Sequence, residues 1–466
     1  VAALELARAG RHVTVLEEGP RVDTAELAAR SPADSLRLLY RNGGATPVLG
    51  TPTIAYGEAA CVGGTTVVNG GLLWAPSTGL LDRWAAHSGY TGYRWETLEP
   101  HLATVRRRLG VTEQGHGDGN RDSRLLADAA RSLGWRWQHP QRAVRGCEHR
   151  NQCVTGCPSG AKQSTALTYL PEAEALGAAI ESGTRVDRIL HDGRRALGVR
   201  ATVRGRRRTY RARTVFVAAG PIGTPVLLRR SGIRSRDAGR HLSLHLNLRT
   251  IARFTEPVHA DRGTMFTAQV QEMSDLGVLV MPANLTPGGL GAALAARGPD
   301  TVNAYLADRE RLGMYTTQVR MRATAGIAAV VGGLPFLRHR LGADDHHLLR
   351  LAFRRTARLL LAAGAAELLP PSADAPPLRS ASDVDRFCAR VRPGDWELVS
   401  VHGTASCRMA RPERGGVCDD LGRPHGFTDL HVCDASVLPA APGISPQGTI
   451  MAFAHEITAR AAVASG

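Results

Sequence analysis

The first seventeen residues constrain the fold more than any other stretch. Val1 to Ala9 is an Ala/Leu-rich helical pattern closed by Gly10, and it runs into His12-Val-Thr-Val-Leu-Glu17, an apolar segment ending in an acid. Helix, tight turn, buried strand and terminal carboxylate make up the second half of a nucleotide-binding βαβ unit, in which the acid reaches ribose hydroxyls. The first half would be a strand and a glycine-rich loop, so the pattern predicts about 10–20 further residues of that kind directly before Val1.

A second apolar strand with a small-residue end lies at Thr214-Val-Phe-Val-Ala-Ala-Gly220-Pro221, as in a central parallel sheet. Before it, the stretch from Gly177 to Arg213 shows strand-like runs around Arg194 and Gly205, which predict a hairpin or meander with Arg204 to Arg208 on a solvated turn. Cys61-Val-Gly-Gly-Thr-Thr-Val-Val-Asn69-Gly70-Gly71-Leu72-Leu73-Trp74 pairs glycines with hydroxyl residues. Such a run lets backbone amides approach an anionic or planar group, and it fits a turn between two core segments equally well.

The 466 residues allow two to three domain-sized units, and 43% hydrophobic residues exclude a disordered chain or a small disulfide scaffold. The net charge of +16 suggests an anionic partner at first sight. Yet Lys162 is the only lysine among 58 basic residues, and the arginines are mostly scattered. With 5% aromatics to stack on bases, the charge reads as an arginine-rich background and nucleic acid is not expected as a partner. No charge-free run reads as a membrane span. Gly277 to Ala296 comes nearest, and Pro282, Pro287 and its glycines are expected to break any helix there. A cytoplasmic location is the expectation.

The C-terminal part carries three further blocks: Ser400-Val-His402-Gly-Thr-Ala-Ser-Cys-Arg408-Met409, Leu430-His-Val-Cys-Asp434-Ala-Ser436, and Pro442-Gly-Ile-Ser445-Pro446-Gln447-Gly-Thr449-Ile-Met451, with an amphipathic helix from Thr449 to about Val463. Together with Val1 to Pro20, Tyr56 to Trp74, Cys147 to Val186 and Val215 to Asn247, these blocks resemble the glucose–methanol–choline (GMC) family of flavin oxidoreductases. Within it, the His402 and Cys147–Lys162 blocks most resemble the long-chain alcohol and polyol branch.

The resemblance implies an α/β fold, with a Rossmann-like FAD-binding domain and a discontinuous α+β substrate domain made of a sheet covered by helices. The FAD-binding domain would combine 1–80, 150–245 and 400–466; the substrate domain would combine 81–149 and 246–399. FAD is the implied cofactor, held covalently or not. By the match, Glu17 would hold the adenosine ribose, and Val186 would give backbone contacts to the adenine. Gly63, Gly64, Asn69, Gly70 and Leu72 would line the pyrophosphate and isoalloxazine, with Gly220 packed against the flavin. Asp434 and Ala435 would meet the phosphate or ribityl region, and Pro446, Gln447 and Thr449 would approach the ring.

The implied reaction is oxidation of an alcohol, with hydride passing to flavin N5 and electrons then to oxygen or another acceptor. His402 is the candidate catalytic residue. An imidazole titrates near working pH and can take the hydroxyl proton, whereas His425 and His431 read as structural or solvated. Ser445 departs from the family pattern, which usually has Asn or His just before the Pro446 position. Its hydroxyl can still orient a substrate oxygen. The shorter side chain also fits a bulky substrate, a non-redox lyase that keeps FAD as scaffold, or a tailoring enzyme that dehydrogenates a C–C or C–N bond. An arginine-rich binding protein on an inactive flavoprotein frame is the rival from another class. Leu246 stands where proline often follows the His245 position, a difference expected to be locally structural.

Cys147, Cys153 and Cys157 are close enough in sequence for an iron–sulfur or zinc site, a disulfide or reduced structural thiols. The spacing is not a standard cluster motif, and no metal is expected. Asp344-Asp345-His346-His347 precedes a helical pattern and reads as helix capping. Tyr315 to Ala325 predicts a strand and His346 to Ala363 a helix of the substrate domain. Leu279 and Met281 belong to either an apolar lid or a buried strand. A small-molecule substrate of apolar or secondary-metabolite type is the expectation.

Overall fold

The computed structural model describes residues 1–114, 119–283, 285–331 and 334–464. Helix Ala2–Arg8 buries Leu4 and Ala7 and ends at Gly10, whose φ of +71° only glycine adopts without strain. The chain then enters strand Thr14–Leu16, which pairs in parallel with Ala179–Glu181, Val15 opposite Ile180. A second parallel pair joins Val215–Val217 to Leu430–Val432. Parallel partners need long crossovers, so this part of the molecule draws on widely separated stretches of chain. Between the two pairs, Thr184–His191, Ala196–Val203 and Arg206–Arg211 form an antiparallel meander. Its Arg204–Gly205 turn is exposed, and the neighbouring arginines are solvated as expected.

The larger sheet is built on strand Ser243–Phe254. It pairs antiparallel with Leu312–Arg320 from His245↔Arg320 to Arg253↔Leu312, and along its length with Ala365–Leu369, Leu398–Ser400 and Gly403–Thr404. Thr46–Leu49 and Ile54–Tyr56 extend this sheet on one side and Val278–Pro282 on the other. The 20-residue helix Ala343–Ala362 packs Leu348, Leu349, Ala352 and Phe353 into the core of the sheet. Asp345 caps it, accepting from the Gly342 N–H and tying down Arg322 and Ala323 N–H at 2.7 and 3.1 Å. Leu246 pairs with Val319 inside the ladder, so a proline there would forfeit a sheet hydrogen bond.

One expectation needs correction. Pro287 does not break a helix; it starts one, Pro287–Leu294. Proline at the first helical position loses no intrahelical bond, and the Thr286 hydroxyl accepts from Gly289 N–H to cap the turn. Leu279 and Met281 lie in the buried strand Val278–Pro282, so the strand reading of that stretch holds. Asn284, within the same stretch, lies outside the described residues. All eight cysteines are free thiols, and among the described residues no cluster of His, Cys, Asp or Glu is arranged to hold a metal ion. No helix among the described residues is long and apolar enough to cross a membrane.

Candidate flavin site

The glycine-rich segment after Cys61 forms a short turn of helix, Gly64–Val67. Gly63 and Gly64 take φ of +94° and +56°, and the space beside Gly64 is open. Gly70 is pressed against Phe266: a Cβ there would lie 2.3 Å from the ring. Asn69 closes the turn, accepting from Gly71 N–H at 2.9 Å, while its amide donates to Gln447 at 2.5 Å. This last bond joins positions 378 residues apart and brings the start of helix Gln447–Ala464 to the glycine segment.

Glu17, just past the first strand, accepts from Gly19 N–H at 2.8 Å, and burial raises its carboxyl despite that bond. Its carbonyl accepts from Thr184 N–H, which places Val186 two residues further along the meander, half-buried. Gly220 opens helix Gly220–Arg230 with φ of +80°, and a Cβ there would come into van der Waals contact with Glu58 Oε2 at 3.9 Å. Asp434 ties that helix end down, accepting from Gly220 N–H at 2.8 Å and the Thr224 hydroxyl at 2.5 Å, with its other oxygen on Ser436 N–H. A carboxylate at a helix N-terminus meets unpaired N–H groups and a favourable dipole. Burial nevertheless raises its carboxyl, with these bonds opposing. The Ala435 carbonyl accepts from Ala405 N–H and so links this segment to the His402 block.

His402 is half-buried, and its ring meets His245 edge-on, Nδ1 to Nδ1 at 2.9 Å. The far nitrogen of His245, Nε2, lies 2.9 Å from Gly443 N. A backbone N–H can only donate, so His245 Nε2 accepts, and a neutral ring then carries its proton on Nδ1. That proton is donated to His402 Nδ1, which leaves the His402 proton on Nε2. Burial, aided by His402 and Arg320, holds His245 far below the ordinary histidine range, and burial pushes His402 down to about 4. Both rings are therefore neutral at pH 7.

Ser445 stands two residues beyond Gly443, and its hydroxyl faces the Leu72 carbonyl at 3.4 Å. Leu72 packs with Leu279, Met281, Trp74, Phe266 and Ile444, so an apolar wall adjoins Ser445. His425 and His431 bond backbone carbonyls of Ala410 and Leu421, in keeping with structural roles.

Family models for the N-terminal and C-terminal domains of GMC oxidoreductases match residues 36–247 and 332–454. An uncharacterized GMC-type oxidoreductase of Mycobacterium tuberculosis is 37% identical over 97% of this chain and 72% of its own length. The chain belongs to the GMC oxidoreductase family. A second GMC-type relative, from Sinorhizobium fredii, is 32% identical over 97% of this chain and 90% of its own. A long-chain-alcohol oxidase of Arabidopsis thaliana is 27% identical over 99% of this chain and 65% of its own. Among solved structures, pyridoxine 4-oxidase from Mesorbium loti superposes with a TM-score of 0.74 at 18% identity, covering 98% of this chain and 96% of that one. A formate oxidase of Aspergillus oryzae superposes with a TM-score of 0.73 at 14% identity, covering 100% of this chain and 96% of that one.

The cofactor of this GMC oxidoreductase is FAD, and the residues present fit it. The space beside Gly64 is open, which leaves room for a bound group against its backbone. The hydroxyl of Thr449, in the first turn of an 18-residue helix, and the indole N–H of Trp74 are buried without a partner. Unpaired donors at a helix N-terminus suit an anionic or carbonyl-rich ligand. When bound, FAD supplies the hydride-accepting ring.

Four residues of this centre are hard to find from sequence. His245 is one histidine in an apolar strand, and only its distance from His402 in space shows the pair. Arg142 is fully buried, donating to the Gly70 and Met265 carbonyls. Lys162 is also buried and donates to the Thr66 and Val67 carbonyls. Thr224 adds a hydroxyl to Asp434. The signal for Lys162 is its solitude: it is the one lysine in an arginine-rich chain.

Proposed function

We propose that this GMC oxidoreductase oxidises an apolar alcohol, with His402 as the group that receives the hydroxyl proton and Ser445 as the group that orients the substrate oxygen. The observation that carries the reading is the neutral His402–His245 pair, adjoined by the Gly443–Ser445 loop and an apolar wall. The likeness to long-chain-alcohol oxidases supports an alcohol, and the Leu72, Leu279 and Met281 wall supports an apolar one. Oxygen or another acceptor completes the turnover.

The hydrogen-bond chain sets a condition on the proton step. With its proton on Nε2, His402 first meets the substrate oxygen as a donor and holds it. To accept the hydroxyl proton, His402 must carry its own proton on Nδ1 and direct it at His245. His245 then holds its proton on Nε2, facing the Gly443 N–H, so that contact has to open. Ser445 lies on the same short loop and shifts with it.

Anaerobic mixing of the FAD-loaded full-length protein with primary and secondary alcohols of increasing chain length tests this reading. Flavin bleaching that strengthens with chain length is the expected result. A flavin that no alcohol reduces would overturn it.

A further inference from the structure

The loop that carries Cys147, Cys153 and Cys157 takes no part in the reaction above, yet it lines a small cavity of about 20 Å³ that opens to solvent. Cys153, Cys157 and Lys162 line it, and Arg142 reaches it through a guanidinium N–H that donates to Cys153 Sγ at 3.3 Å. Arg142 and Lys162 are buried cations, and among the described residues no carboxylate pairs with either; their other partners are backbone carbonyls. Glu148, the acid in the lining, is exposed and paired with Arg150. Buried charge without a counter-charge is costly, so the sulfur atoms are the groups placed to offset it.

The eight thiols fall into distinct environments. Cys61, Cys388, Cys407, Cys418 and Cys433 are buried, and burial pushes each thiol up. Cys157 is partly exposed in the cavity, with Sγ 3.4 Å from the Ser159 hydroxyl. Burial acts to raise its thiol too, but hydrogen bonds from Ser159 and Lys162 and the Lys162 charge outweigh it and bring it down. A lowered, accessible thiol in an electropositive setting is the reactive kind.

The same cations hold the flavin cradle from behind. Lys162 Nζ donates to the Thr66 and Val67 carbonyls at 3.1 and 2.5 Å, and Arg142 Nε to the Gly70 carbonyl at 2.9 Å. We propose that this cavity is a thiol-modification site for small soft carbon electrophiles, with Cys157 as the nucleophile, and that its state reaches the Gly63–Leu72 cradle through Lys162 and Arg142. With an α-haloamide, the Cys157 sulfur forms a bond to carbon, the carbon–halogen bond breaks, halide leaves and the thiol proton passes to solvent. The alkylated sulfur can no longer ionise, so Lys162 loses an interaction that favours its ammonium form. Burial already brings that group down to about 8.

The experiment treats the FAD-loaded full-length protein with limiting iodoacetamide at pH 7 and maps the labelled peptides by mass. Cys157 should label first, by roughly tenfold or more over each of the five buried cysteines. Ser159→Ala should slow that labelling without unfolding the chain, and the labelled wild-type protein should bind FAD several-fold more weakly. Labelling of Cys147 or Cys153 ahead of Cys157 would overturn the assignment of the nucleophile. Unchanged FAD affinity after stoichiometric labelling would overturn the coupling. Neither readout uses turnover, so failure of the alcohol-oxidation reading would leave this test standing.

Discussion

The His402–His245 pair and the Arg142–Lys162 cluster are both polar centres tied to the same glycine segment, one through the Gly443–Ser445 loop and the Leu72 carbonyl, the other by direct bonds, and they manage burial in opposite ways. The histidines give up their charge. Two imidazoles and one backbone N–H satisfy one another, and no counter-ion is needed. The cations keep theirs and rely on carbonyl oxygens and sulfur. A neutral centre can take up a proton without first expelling one to solvent, which suits acid–base work. A charged centre without carboxylates is rigid while intact and sensitive to any change in its sulfur partners. One glycine segment thus adjoins a neutral centre and a charged one.

The sharpest way to break this comparison is His402→Ala. Flavin reduction should fall roughly 10²–10⁴-fold, as for loss of a general base, with FAD still bound. Stopped-flow absorbance of the flavin checks it, and near-normal reduction would remove His402 from the reaction.

Acid titration probes the cost of neutrality. His402 falls to about 4 in the folded state, while an unfolded histidine titrates near 6.5. Below that value the unfolded chain binds more protons than the folded one, so stability falls as pH drops from about 6.5 toward 4. His402 alone should account for roughly 3 kcal/mol of that loss, measured as denaturant midpoints across the range. A flat profile in that window would mean the pair is not held neutral.

On the charged side, Lys162→Met keeps the bulk but leaves the Thr66 and Val67 carbonyls unpaired. A loss of about 1–3 kcal/mol in stability and weaker FAD binding are expected, read by thermal unfolding and fluorescence titration. The smallest effect belongs to Ser445→Asn, at the rim of the neutral centre. Its Tm should stay within about a degree or two, as for a half-exposed polar site, while the ranking of alcohols changes. Unchanged kinetics across the panel would place Ser445 away from the reacting carbon.

Much of this organisation is legible in the sequence where local chemistry and pattern agree. The helix, Gly10 turn and acid-ended strand of the first seventeen residues fold as their pattern predicts, and so do the Val215–Val217 strand and the Asp345-capped helix. His402 and Gln447 stand out because each sits in a block of small residues with a recognisable plan. The rest depends on distance in space. Nothing local marks His245 as the partner of a ring 157 positions away, and nothing in Gly160-Ala-Lys162 announces that the ammonium is buried. Pro287 was misleading for a local reason: the same ring that stops a helix in its interior starts one at its first position.

The parallel pairing of Val215–Val217 with Leu430–Val432, and the Asn69–Gln447 bond, have a consequence for how the chain is made. A nascent chain that has reached residue 400 holds the glycine segment, the Val215–Val217 strand and the Gly220 helix end, but not their partners Gln447, Leu430–Val432 and Asp434. Contacts of such long sequence separation form late and slowly. On the ribosome, the site is therefore incomplete until residues 430–447 have emerged, and until then the Val215–Val217 strand lacks its parallel partner.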